Sequence, residues 1–125
     1  MSNTEQKTPS EVSPESWEAF LEAAYAPLPG LREMSVLELP KWHALGQDVS
    51  DILALSIRDP EPVVARAAVM VAGRIGLVRL AVIQSLELRL RDQDDLLRRT
   101  VVTALSRLST PNFNKRAKIT PPFFR

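Results

Sequence analysis

Residues 58–76 read RDPEPVVARAAVMVAGRIG, and residues 91–109 read RDQDDLLRRTVVTALSRLS. The second stretch restates the first after 33 positions. Laid over each other, residues 53–76 and 86–109 share seven identities: Leu53/Leu86, Leu55/Leu88, Arg58/Arg91, Asp59/Asp92, Arg66/Arg99, Val69/Val102 and Arg74/Arg107. Most other pairs exchange one apolar residue for another, such as Val63/Leu96, Val64/Leu97 and Ile75/Leu108. A fixed period of this size marks stacked supersecondary units, each unable to bury its apolar face alone. That constrains the fold more than any other feature of the chain.

Each unit reads as a helical hairpin. Ile52, Leu53 and Leu55 in one copy, and Val82, Ile83, Leu86 and Leu90 in the other, fit a first helix of about three turns. Pro60 biases Asp59 away from helical geometry, so that helix should stop there. Pro62 suits the first turn of the next helix, where its missing N–H costs nothing. Glu61 favours the positive end of the helix dipole, and Gln93, Asp94 and Asp95 take that place in the second copy. Gly76 is the natural residue to end the second helix.

The two second helices differ. Residues 62–75 are apolar nearly all round, with Val63, Val64, Ala67, Ala68, Val69, Met70, Val71 and Ala72, so this helix should be sandwiched. Residues 95–108 are amphipathic. Leu97, Val101, Val102, Ala104, Leu105 and Leu108 cover one side, and Arg99, Thr100, Thr103, Ser106 and Arg107 mark the other. That pattern is expected of a terminal unit with nothing stacked on its outer face.

D-P-E-P-V-V-A-R-A-A followed by G-R-I-G resembles HEAT repeats, most closely the short HEAT-like repeats named for phycobilisome lyases. The resemblance covers residues 45–109, about half the chain. It implies that a turn Asp and a second-helix Arg, here Asp59/Arg66 and Asp92/Arg99, link neighbouring repeats through a hydrogen-bonded ladder. The ankyrin T-P-L-H element and the tetratricopeptide Trp/Gly/Tyr positions are missing, while armadillo-like packing is not separated from HEAT by the sequence. The expected fold is all-α: a short right-handed α-solenoid of stacked helical hairpins, HEAT/armadillo-like, with an N-terminal helical cap.

Two units need a third. Ser13-Pro14-Glu15 reads as the start of a helix, which Trp17, Phe20, Leu21 and Ala24 furnish with an apolar stripe. Ala26-Pro27-Leu28-Pro29-Gly30 should break it, and Leu31 to Leu39 should form a short second helix ended by Pro40. The expected organisation is a disordered N-terminus at 1–12 and a helical domain at 13–109. Within that domain, 13–44 forms a degenerate first repeat or cap, and 45–76 and 77–109 form the two repeats. A basic, aromatic-ended tail follows at 110–125.

Charge is segregated along the chain. Residues 1–40 hold two basic and seven acidic side chains, and no acidic residue follows Asp95, while seven basic ones do. The chain has no cysteine, which excludes disulfides and thiolate metal sites. The first residues lack a basic start and an apolar run, and no stretch reaches membrane-span length, so the expectation is a soluble, cytoplasmic protein.

Chemistry has few places to sit. The single histidine, His43, has no thiol near it in sequence and reads as a surface or cap residue. Glycine is scarce, and no phosphate-binding loop is present. Glu15, Glu18 and Glu22 read as a solvated helix face, and Trp17 and Trp42 as core of the N-terminal unit. No enzyme activity, cofactor or metal is expected. Arg74 and Arg107 recur without a matched turn Asp and could line one face of the stack. The tail carries Lys115, Arg116 and Lys118, then Pro121-Pro122 and Phe123-Phe124, and reads either as a docking peptide or as an end whose phenylalanines fold back on the last helix. The expected partners of these residues are one or more proteins, with the chain a scaffold, adaptor or accessory subunit. Nucleic acid on the basic C-terminal half is the alternative, with a near-neutral net charge of +1 against it. A lyase or chaperone subunit acting on a cofactor-carrying protein follows from the resemblance alone.

Overall fold

The computed structural model describes residues 14–109, with the side chains of Pro14 and Glu15 excepted. It is all-helical over that span. The helices are α1 (Pro14–Ala24), α2 (Pro29–Ala44), α3 (Ser50–Ile57), α4 (Pro62–Ile75), α5 (Leu80–Arg89) and α6 (Asp95–Leu108). Helix α4 packs against both α2 and α6, and α3 packs against α5; within hairpins, α1 meets α2, α3 meets α4 and α5 meets α6. The core is one cluster running from Phe20 and Ala24 through to Ala104 and Leu108.

The N-cap residues of α2, α4 and α6 are Leu28, Glu61 and Asp94, each 33 positions after the last. The period therefore extends into the N-terminal pair. Pro27-Leu28-Pro29 stands where the next unit has Pro60-Glu61-Pro62. Both second prolines occupy the first helical turn, as their missing N–H allows. The stretch expected only to break α1 thus also starts α2.

Three sequence expectations need correction. Helix α2 is not a short element ended by Pro40; it begins at Pro29 and runs through Pro40 to Ala44. A mid-helix proline costs about 3 kcal/mol, and here burial offsets it. Leu39 is fully buried and Trp42 nearly so on either side of Pro40. Helix α3 is eight residues long, nearer two turns than three, with Leu55 exposed. In α6, Val102 is 56% exposed instead of lying in the core, while Leu97, Val101, Ala104 and Leu108 are buried and Leu105 is half-buried.

Three other expectations match what the structure places. Helix α4 lies between two helices and buries Val64, Ala65, Ala67, Ala68, Val69, Val71 and Ala72, while Val63 and Met70 of the expected set are exposed. Trp17, Phe20 and Trp42 form one aromatic cluster between α1 and α2, with ring centroids 5.1 to 5.3 Å apart. The Trp42 indole N–H meets no acceptor among the described residues, so the ring contributes by its apolar area. Gly76 ends α4 in the left-handed conformation, φ 64° and ψ 31°, where a side chain would be strained. The expectations for residues 1–13 and 110–125 lie outside the described residues.

Gly73 sets how closely α4 and α6 approach. A β-carbon there would stand 3.2 Å from Ala104 Cα and 3.3 Å from Ala104 Cβ. Backbone cannot yield as a side chain tip can. Gly73→Val is expected to cost about 2 kcal/mol by overpacking, or roughly 10 °C in melting temperature for a domain of this size. Gly30→Ala, whose β-carbon meets nothing within 4 Å, should leave it unchanged or slightly raised. Thermal melts by circular dichroism check both.

Candidate functional site: the turn ladder and the α4–α6 groove

The repeated aspartates have the same local job. Asp59 Oδ1 accepts from the Glu61 N–H at 2.9 Å, and Asp92 Oδ1 accepts from the Asp94 N–H at 2.8 Å. Each carboxylate closes the turn before a second helix, as Asp does wherever a chain must reverse. Asp94 then caps α6, accepting from the Leu97 N–H at 3.1 Å.

The ladder joining hairpins uses other arginines. Arg32, on α2, donates from Nε to Asp59 Oδ2 at 2.8 Å and from a second nitrogen to Oδ1 at 3.1 Å. Its remaining amino group donates to the carbonyls of Ala26 and Pro27 at 2.8 and 2.9 Å. Arg89, on α5, donates to the Ile57 and Asp59 carbonyls at 2.7 and 2.6 Å, and to Asp92 Oδ2 at 2.6 Å. Three successive turns are thereby tied in series, through Arg32–Asp59 and then Arg89–Asp92.

Of the four residues assigned to this ladder by resemblance, two span hairpins and two do not. Asp59 takes Arg32, and Arg66 on α4 reaches Asp94, not Asp92, at 3.1 Å. Asp92 pairs three residues back with Arg89, within its own hairpin. Arg99 pairs with Asp95 on its own helix and is 76% exposed, because no described turn lies beyond α6 for it to reach. Arg32 and Arg89 escaped sequence reasoning for a plain reason. Their counterparts in the adjacent unit are Ala65 and Ser56, and Arg32 recurs only two periods on, as Arg98.

Electrostatics follow from these contacts. Burial alone would raise the Asp59 carboxyl, but the Arg32 hydrogen bond, the Glu61 N–H and the charges of Arg32 and Arg89 hold it below the usual carboxylate range. The Asp94 N–H, opposed by burial and helped by Arg89, holds Asp92 low as well.

Arg74 and Arg107 come together as expected of matched positions. They line one groove of about 250 Å³ between α4 and α6, with Val69, Met70, Gly73, Thr100, Thr103 and Ala104. Neither makes an ion pair among the described residues, and the lining holds no carboxylate. The groove is apolar along its floor and cationic along one edge. It can hold an anionic or amphipathic chain and offers no nucleophile–base pair. No group of three metal-ligating side chains forms among the described residues, and His43 is exposed beside the α2–α3 turn. Lys115, Arg116, Lys118, Phe123 and Phe124 lie outside the described residues. No helix among the described residues is long and apolar enough to cross a membrane.

Asp59→Asn should remove the charge that Arg32 meets and cost about 2 kcal/mol at neutral pH, the scale of charge-assisted hydrogen bonds. The folded carboxyl is depressed, so its stabilisation is present above the unfolded value near ~3.9 and fades as pH falls through the folded one. The wild-type advantage over Asp59→Asn in urea titrations should therefore hold from pH 7 to about 5 and shrink below about 4. An advantage that stays constant down to acid pH contradicts the pairing.

Compared with known proteins, the chain matches no family model and no curated sequence.

Proposed function

We propose that the chain is a HEAT-like α-solenoid with an N-terminal helical cap. In this reading its work is to bind protein, as a scaffold, adaptor or small accessory subunit of a larger assembly. The observation that carries this reading is the α4–α6 groove. It pairs exposed Met70 and a floor of small residues with two guanidinium groups that form no ion pair among the described residues. Arg32 and Arg66 find carboxylates within the fold, and Arg58 donates to the Ser85 hydroxyl. Arg74 and Arg107 face outward instead, next to apolar surface, which is the composition of a recognition surface. The 33-residue spacing of three helix starts supports the repeat assignment. The packing of second helix on second helix supports stacking of the hairpins.

The test is quantitative affinity capture from native cells with nuclease present, comparing the full chain with the Arg74→Glu/Arg107→Glu variant. Both side chains are exposed, so the variant should melt like the wild type. Specific protein partners are expected with the wild type and should be lost from the variant. Partners that persist unchanged move binding away from this face. Material captured only when nuclease is omitted replaces the protein partner with nucleic acid.

A further inference from the structure

The groove's cations belong to a longer register, whose α2 member, Lys41, lines a neighbouring pocket between α1 and α2 with Glu38. With α2, α4 and α6 aligned on their N-caps, equivalent residues fall into rows, one from each helix. Lys41, Arg74 and Arg107 form one row, and all three are exposed. Leu37, Met70 and Thr103 form the row beside it, with Leu37 and Met70 each 54% exposed. Val63 and Leu96, also exposed, are equivalent positions nearer the helix starts, where α2 has Gly30. The cations of the first row make no ion pair among the described residues. Lys41 instead sits 5.3 Å from the centre of the Trp42 ring. Glu38 is exposed one turn before Lys41 and is not bonded to it. A third row, Glu33, Arg66 and Arg99, differs in kind, since Arg66 and Arg99 are bound to Asp94 and Asp95.

We infer that the α2–α4–α6 face takes an acidic peptide, its carboxylates on the Lys41–Arg74–Arg107 row and its apolar side chains on Leu37 and Met70. This rests on the protein-binding reading and names the chemistry of the partner. Packed helices lie about 8–10 Å apart, which sets the spacing of the row. A polyproline-type extended chain returns to the same side every three residues, after about 9.3 Å. Glu or Asp at every third position therefore meets one cation per helix, and the residues between supply apolar contact. The apolar row beside the cations favours a peptide over a nucleic acid, whose phosphates would leave Leu37 and Met70 uncovered.

The test uses the purified full chain and labelled short peptides in fluorescence anisotropy. One probe has Glu at every third position with Leu between, and a second has Lys in place of Glu. The Glu probe is expected to bind, and to weaken as salt is added. Arg74→Glu/Arg107→Glu should weaken it about tenfold, from loss of attraction and added repulsion at two exposed sites, and should take up the Lys probe instead. That exchange cannot come from misfolding. Equal binding of both probes by the wild type, or a variant indifferent to the exchange, overturns the inference. So does an oligouridylate of equal charge that displaces the Glu probe at lower concentration. If the probes fail while charge reversal still abolishes partner capture, the protein-binding face stands and the acidic partner falls. If both fail, both fall.

Discussion

The Asp59 carboxylate is where the hairpins become one body. It closes its own turn through the Glu61 N–H, and it receives Arg32 from the hairpin before. The backbone carbonyl of the same residue receives Arg89 from the hairpin after. A turn between helices exposes carbonyls that the preceding helix cannot satisfy, and Arg89 answers two of them while holding Asp92. Each arginine thus does with one planar group what several shorter side chains would otherwise do, the advantage of a guanidinium over an ammonium. Apolar packing pulls the hairpins together without fixing their relative slide. The ladder fixes it, since a slip of a few ångströms would strand Asp59 and Arg32 partly buried and unpaired.

Between the rungs, α4 is built to be approached from several sides. Alanines at 65, 67, 68 and 72 and glycine at 73 keep its girth small, and α2, α3 and α6 all pack on it. Close approach has a consequence for the surface. Alanines and valines fill the inward sides, and Val63, Met70 and Arg74 lie on the exposed strip that remains. The packing of the core and the make-up of the outward face are therefore two results of one sequence pattern.

How much of this was legible varied with how far each signal reached. Hairpin boundaries near Asp59–Pro62 and Gly76 follow from local backbone limits, and the sequence displays them directly. The buried surface of α4 was readable because almost every residue in it is apolar. Pro40 misled because a local rule met a tertiary exception, with Leu39 and Trp42 buried on either side of it. Val102 misled because a wheel shows which residues share a side but not how wide a neighbour's footprint is. The Pro-x-Pro at 27–29 was a usable signal of the third unit. Its companion Asp is replaced by Ala26, which hid the match. The Arg32 and Arg89 rungs were hidden because neither arginine is repeated in the adjacent unit, although the aspartates they meet are. Arg74 and Arg107 were visible as a pair, while Lys41 joins them only once the start of α2 is moved to Pro29.

A row of like charges has to be reconciled with a stable fold. Two cations about 10 Å apart in water repel by roughly 0.4 kcal/mol, and that separation is close to the screening length at physiological salt. The stack bears this easily, so stability places little pressure against Lys41, Arg74 and Arg107. Nor does it require them, since none of the three makes an ion pair among the described residues. The balance changes when a carboxylate settles beside them. It gains from more than one cation at once, and the adjoining apolar row excludes water from one side of the contact, which strengthens the attraction. The helix spacing that close packing at Gly73 allows, in the register the ladder holds, is then also the ruler that sets which anions fit. The same arginine–aspartate geometry that holds the hairpins in register would set the register of whatever lies across them.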